Sequence, residues 1–221
     1  MAAITVFEAP RRLMVRNLRG GLPEVGKIKI GRKGEVRQSR GGSEWQPPQK
    51  LDHFLVTTLE RGPDGNFMRD ERVHAIVGEK PTELPVRLLY NDPWLSFQSG
   101  YVAYWGKTRW CTGDGERAQR WYQEAGEFRE VPCTCEHLDP DYQDDKGGQN
   151  GRCKINGKLS VVIDGAEVVG GVWTLRTTSI NTVNGVASSL EMLRALSGGW
   201  LAGVPLHLTL RPRTAQLPDG K

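Results

Sequence analysis

From Val25 to Ile30 the chain alternates apolar and polar positions at period two, which predicts a short strand. Phe54–Leu59 is β-branched and aromatic and predicts a buried strand, followed by a turn at Arg61-Gly-Pro-Asp-Gly65. Asp70–Val77 predicts one short helix, ended by Gly78 and Pro81, and Val86–Tyr90 predicts a strand stopped at Asn91-Asp92-Pro93. Tyr101–Trp105 and Thr108–Cys111 flank Gly106-Lys107 and predict a tight hairpin. Leu159–Ile163 and Val172–Thr177 predict two strands joined by a Gly-rich turn. The main helix is predicted over Ser179–Ser197, where Ile180, Val183, Ala187, Leu190 and Leu193 follow three-four spacing. Ser179 or Thr178 caps its start, Gly185 weakens its first turns, and Gly198-Gly199 terminates it. Leu206, Leu208 and Leu210 then alternate with His207, Thr209 and Arg211 in a final strand.

This pattern predicts an α+β fold, mostly antiparallel β with one main C-terminal helix. Residues 51–211 form a single core, residues 1–50 a basic and partly irregular N-terminal segment, and residues 212–221 a tail. Between residues 111 and 153 the apolar periodicity disappears and acids dominate. No run approaches the ~18 apolar residues of a membrane helix. The N-terminus has no basic region ahead of an apolar one, so it does not read as a secretory signal, and the expected compartment is cytoplasmic with no membrane partner.

The formal net charge is only +4, but it is unevenly spread. Residues 1–50 carry eleven Lys and Arg against four acids, and residues 113–145 carry ten acids against three Arg. Such asymmetry suits either a polyanion-binding arm or an intramolecular charge match. On the first reading, Arg32, Lys33, Arg37 and Arg40 would follow a phosphate backbone, their Gly-rich surroundings keeping the segment adaptable. Arg109 and Trp110 join them as candidates, because aromatics interleaved with cations stack bases and hold phosphates. Trp105 reads instead as core packing.

All four cysteines, Cys111, Cys133, Cys135 and Cys153, fall in the segment that lacks apolar periodicity. Such a segment cannot offset its ordering entropy by burial alone. A tetrathiolate zinc site would supply the missing free energy and staple a module over about residues 106–156, with about one Zn2+ per chain. Four thiolates close the coordination shell, so the metal is expected to be structural rather than catalytic. His137, two residues after Cys135, is an alternative ligand or simply a loop histidine, and the loop reading is preferred.

Enzyme signatures are absent from the sequence. There is no phosphate-binding G-x4-G-K-[ST] loop and no G-x-S-x-G nucleophile elbow. Asp52-His53 lacks the further ligands a metal hydrolase needs. Gly113-Asp-Gly115 and Asp139-Pro-Asp-Tyr142 lack calcium-loop spacing. No catalytic residue is assigned, and a non-enzymatic protein is expected.

A set of segments carries a family resemblance: Val25-GKIKIG-Arg32, Lys50-LDHFLVTT-Leu59, Gly78-EKPTELPVRLLY-Asn91, Cys111-TGDGE-Arg117, Val131-PCTCEHLDPDY-Gln143, Gly170-GVWTLRTTS-Ile180 and Ser197-GGWLAGVPLHL-Thr209. Together they resemble the phage family of recombination directionality factor-like proteins, some relatives of which are described as hydrolases or metal-binding proteins. The resemblance runs from about residue 20 to residue 212. It implies a protein that binds a serine integrase and switches it from integration to excision, and a metal at Cys111, Cys133, Cys135 and Cys153. Its partners would be a phage recombinase or another DNA-processing protein, or DNA itself, in the cytoplasm of the bacterial host. A single-strand DNA-binding protein of phage replication or recombination is one alternative, and a metal-dependent hydrolase is another.

Overall fold

The computed structural model describes residues 22–38, 42, 44–139, 141–144, 148, 150–168 and 170–211. Arg40 and the tail over residues 212–221 lie outside the described residues. In chain order the elements are β1 (Glu24–Lys33), β2 (Arg37–Gln38), β3 (Glu44–Trp45), β4 (Pro48–Arg61), β5 (Phe67–Arg69), α1 (Glu71–Val77) and β6 (Glu83–Arg87). Then follow α2 (Pro93–Ser96), β7 (Phe97–Trp105), β8 (Thr108–Gly113), β9 (Arg117–Tyr122), β10 (Glu127–Pro132) and a 3-10 turn at Glu136–Leu138. The chain closes with β11 (Cys153–Ile163), β12 (Val172–Thr177), α3 (Ile180–Leu196) and β13 (Pro205–Thr209).

Nine strands pair in the order β10-β9-β8-β7-β11-β12-β1-β4-β5. All their pairings are antiparallel except β1 with β12, so the α+β, antiparallel-rich expectation holds. β1, drawn from the basic N-terminal segment, is an interior strand of this sheet, between β12 and β4. The longest of the C-terminal strands, β11, is its spine. Its first half pairs with β7, from Cys153↔Ala103 to Leu159↔Phe97, and its end pairs with β6 through Ile163↔Val86. β13 pairs with β6 in turn, forming a ribbon that branches from the sheet.

One large core explains why these residues form these elements. Ile28, Phe54, Val56, Leu159, Val161, Ile163, Trp173 and Leu175 are buried in it together with Leu84 and Val86 of β6, Val73 of α1, and Val183 and Leu190 of α3. Alternation along β1, β4 and β11 puts the polar residues between these positions on the opposite sheet face. Gly26 is required where β1 enters: a Cβ there would lie 2.3 Å from the Thr57 carbonyl oxygen and 2.7 Å from the Trp173 ring. His74 ties α1 to β4, since its Nε2 accepts from the Val56 N–H at 3.1 Å and its Nδ1 meets the Gly78 carbonyl oxygen at 2.8 Å. α3 starts at the expected cap, with the Ser179 hydroxyl oxygen accepting from the Thr182 N–H. Gly185 sits on its outer side, with nothing near the position a Cβ would occupy.

The described residues between 111 and 139 form more regular structure than their composition predicts. β9 and β10 make a six-pair hairpin from Arg117↔Pro132 to Tyr122↔Glu127, turning at Gly126, whose φ is 64°. Ala118 is the one buried residue of these two strands. Backbone pairing therefore builds the hairpin where apolar alternation is too thin to announce it.

Candidate metal and interaction site

The four cysteines, spread over 43 positions of sequence, line one small cavity in the structure. Strand register does most of the gathering. Cys153 at the start of β11 pairs with Ala103 on β7, Ala103 pairs with Cys111 on β8, and Cys111 pairs with Arg120 on β9. Paired residues share a sheet face, so Cys153, Ala103, Cys111 and Arg120 form one row, with small Ala103 leaving space between the two thiols. The β9–β10 hairpin then returns the chain over this row. Cys133 follows β10 directly and its N–H donates to the Glu116 carbonyl oxygen at 2.9 Å. Cys135 precedes the 3-10 turn. Gly113 makes the closure possible, because a Cβ there would lie 2.4 Å from Cys133 Sγ and 2.9 Å from Ala118 Cβ.

The thiols are unbridged, with Cys111 and Cys133 buried and Cys135 and Cys153 half-buried. Burial pushes the Cys153 thiol up to about 11, and the three other cysteines add to the rise. Burial raises Cys133 as well, against the Gly115 N–H, which favours its thiolate. Arg120 is the cation of the cavity. Its Nη2 donates to Cys135 Sγ at 3.3 Å and its guanidinium stacks 5.1 Å from the Trp110 ring centroid. Although burial opposes it, contact with Cys111 and Cys135 holds the Arg120 pKa above its usual value. His137 forms the remaining wall, edge-on to Trp110 at 4.9 Å and against Tyr142 at 4.5 Å. Burial and the Arg120 charge keep its pKa low, so the neutral ring is favoured.

The cavity lining contains four thiols and no carboxylate, a soft donor set suited to zinc rather than to calcium or magnesium. Among the described residues, however, no group of three or more His, Cys, Asp or Glu side chains stands at metal-holding spacing. Three buried nitrogens at the cavity, Trp110 Nε1, Arg120 Nε and His137 Nδ1, have no hydrogen-bond partner among the described residues.

The nucleic-acid candidates among the described residues lie on separate elements. Arg32 donates to Gln49 Oε1 at 2.9 Å at the outer end of β1, Lys33 follows it, and Arg37 sits on the short β2–β3 ribbon opposite Trp45. Arg109 is exposed on β8, while Trp110 is half-buried as a wall of the cysteine cavity. Trp105 is exposed rather than packed in a core, at 58 %. His53 Nδ1 meets Asp52 Oδ1 at 2.6 Å on β4.

The β7–β8 and β9–β10 hairpins project a set of exposed aromatics. Trp121 and Phe128 stack edge-on at 5.1 Å, with Phe128 54 % exposed, and Tyr104, Trp105 and Tyr122 are exposed on the same hairpins. The fold and site thus define a sheet protein that carries a cysteine-lined, aromatic-rich arm. A family model of Gp3-like, recombination directionality factor-like proteins matches residues 25–221, and the chain belongs to that family. No curated protein matches the chain, and no solved structure matches it. No helix of the described residues is long and apolar enough to cross a membrane.

Proposed function

We propose that this chain is a non-enzymatic directionality factor of phage DNA recombination, acting in the bacterial cytoplasm by binding a serine integrase and redirecting it toward excision. Family membership supports the recombination setting. The observation that carries the binding reading is the arm itself, where Trp105, Trp121 and Phe128 are exposed on hairpins that have almost no core of their own. Exposed aromatic clusters of this kind are characteristic of protein-binding surfaces, where Trp and Tyr supply most of the affinity.

Zinc at Cys111, Cys133, Cys135 and Cys153 would hold this arm in shape. Four soft donors on one cavity favour it, although among the described residues they do not stand at metal-holding spacing. The metal would bind the sulfurs as thiolates, their protons passing to solvent, and would leave no open coordination position, so its role would be structural.

The test is an in vitro recombination assay with the cognate integrase. Trp121→Ala/Phe128→Ala is expected to reduce excision and integrase pull-down by about tenfold or more, as loss of a hot-spot pair does. Unchanged excision with this variant, or no effect of the wild-type chain on recombination direction, overturns the reading.

A further inference from the structure

Strand register gathers a second group of charged residues on the sheet face that looks away from the core. Leu159, Val161 and Ile163 of β11 are buried, so Lys154, Lys158 and Ser160 take the opposite face. Lys158 pairs with Arg176 on β12, and Thr174, two residues before Arg176, pairs with Lys27 on β1. Lys29 shares that face with Lys27, because Ile28 between them is buried. Lys27 and Lys29 stand 5.0 and 5.1 Å from the centroid of the Phe67 ring on β5, and the Arg61 guanidinium of β4 covers the same ring at 4.2 Å.

This band is poorly neutralised. Glu24 pairs with Lys27 and reaches Arg176 at 3.8 Å, but among the described residues Lys29, Arg61, Lys154 and Lys158 have no ion-pair partner. Lys158 and Arg176 are like charges set directly opposite, an arrangement that destabilises a sheet. Burial, and then Arg61, Lys27 and Lys33, hold the Lys29 pKa below its usual value. A free protein gains nothing from this crowding, whereas a polyanion laid across it relieves the repulsion.

We propose that this face, from Lys158 and Arg176 across Lys27 and Lys29 to Arg61, binds the phosphate backbone of DNA. Three strand spacings, about 14 Å, separate β11 from β4, so the band meets several phosphates at once. An acidic protein partner fits less well. Protein interfaces centre on buried aromatic or apolar anchors, and the aromatic ring of the band, Phe67, is already capped by cations. The same capping removes a stacking platform, so contact is with phosphates and independent of sequence. The site is distinct from the aromatic arm and does not rest on integrase binding.

The experiment is a fluorescence-anisotropy titration of labelled single-stranded and duplex oligonucleotides with the full chain. Lys29→Gln/Arg61→Gln/Lys158→Gln/Arg176→Gln should weaken binding at about 50 mM salt by tenfold or more and flatten the slope of log K against log salt by about 3–4. A milder pair, Lys154→Gln/Lys158→Gln, should flatten it by about 1–2 and leaves the Phe67 cluster intact, so a folding defect in the larger variant does not decide the result. A control with three neutralised arm cations, Arg109→Gln/Arg117→Gln/Arg129→Gln, should keep wild-type affinity within about twofold. The proposal is overturned if the wild-type chain forms no complex with either DNA, or if the arm variant loses as much affinity as the sheet variants. It is equally overturned if the sheet variants bind DNA normally and lose only an acidic protein partner.

Discussion

The central sheet and the β8–β10 arm belong to one hydrogen-bonded sheet but are held by different physics. The central part buries Phe54, Leu84, Ile163 and Trp173 almost completely, each at 2 % exposure or less. At ~1.5–3 kcal/mol for each large apolar side chain removed from water, such residues dominate its stability. The arm buries only Cys111, Ala118 and Cys133, two of them thiols, against Ala103 of β7. These small side chains offset little of the entropy of ordering three strands, and the proposed metal would supply the difference. Ladder hydrogen bonds carry order outward from a core, but side-chain chemistry decides whether the end of the sheet keeps it.

The largest effect should come from the core. Phe54→Ala removes a fully buried ring and is expected to cost about 3–5 kcal/mol in the global urea transition, with the arm lost only as a consequence. A loss below about 1 kcal/mol would mean that the sheet centre does not carry the fold. Next comes Gly113→Ala, which forces a Cβ against Cys133 Sγ and the Ala118 side chain. It should cost about 1–3 kcal/mol, read as lost hydrogen-exchange protection confined to β8, β9 and the Cys133 region. An equal loss of protection in β4 and β12 would join the two regions into one cooperative unit.

The two regions also differ in how plainly the sequence announces them. α1, α3 and the β7–β8 hairpin follow from local signals: Ser179 caps α3, Gly78 ends α1, and Gly106 turns the hairpin at a φ of 60°. The clustering of all four cysteines in one segment is plain in the sequence, and in the structure they line one cavity. The β9–β10 hairpin was illegible because Glu127, Phe128, Arg129 and Glu130 are all exposed, leaving no period-two burial to read. The parallel β1–β12 pair joins residues about 150 positions apart in the chain, a contact no local pattern encodes. The cation band was hidden for the same reason, since Lys27 and Arg176 become neighbours only through that pairing. His137 and Arg120 gave no stronger signal than one loop histidine and one strand arginine, yet both line the cavity.

Smaller effects separate the regions further. Arg120→Ala removes a hydrogen bond to Cys135 and the stack on Trp110, and should destabilise the arm by about 1 kcal/mol without moving the global urea midpoint. A shifted global midpoint would contradict the separation. In the central sheet, Glu24 is partly buried, which opposes ionisation, but hydrogen bonds from Lys27 and Thr174 and the charges of Lys27 and Arg176 outweigh this and lower its pKa from the ordinary 4.5. Its contribution is therefore present above that value and is lost as pH falls below it. Glu24→Gln should remove part of the acid limb of the stability–pH curve below about pH 4.5 and leave the neutral region nearly flat. An unchanged acid limb would show that the Glu24 contacts add nothing to folding.

The dependence of the arm on its thiols is tested most directly by hydrogen exchange on the full chain, purified without chelator and then compared with a chelator-stripped sample. About one bound zinc per chain is expected in the first sample, with removal lowering protection in β9, β10 and the Cys133–Leu138 stretch by tenfold or more. Protection in β1, β4, β11 and β12 should be retained, because their apolar core does not involve the cysteines. A chain that purifies without zinc yet protects the arm as strongly as the central sheet would contradict the account.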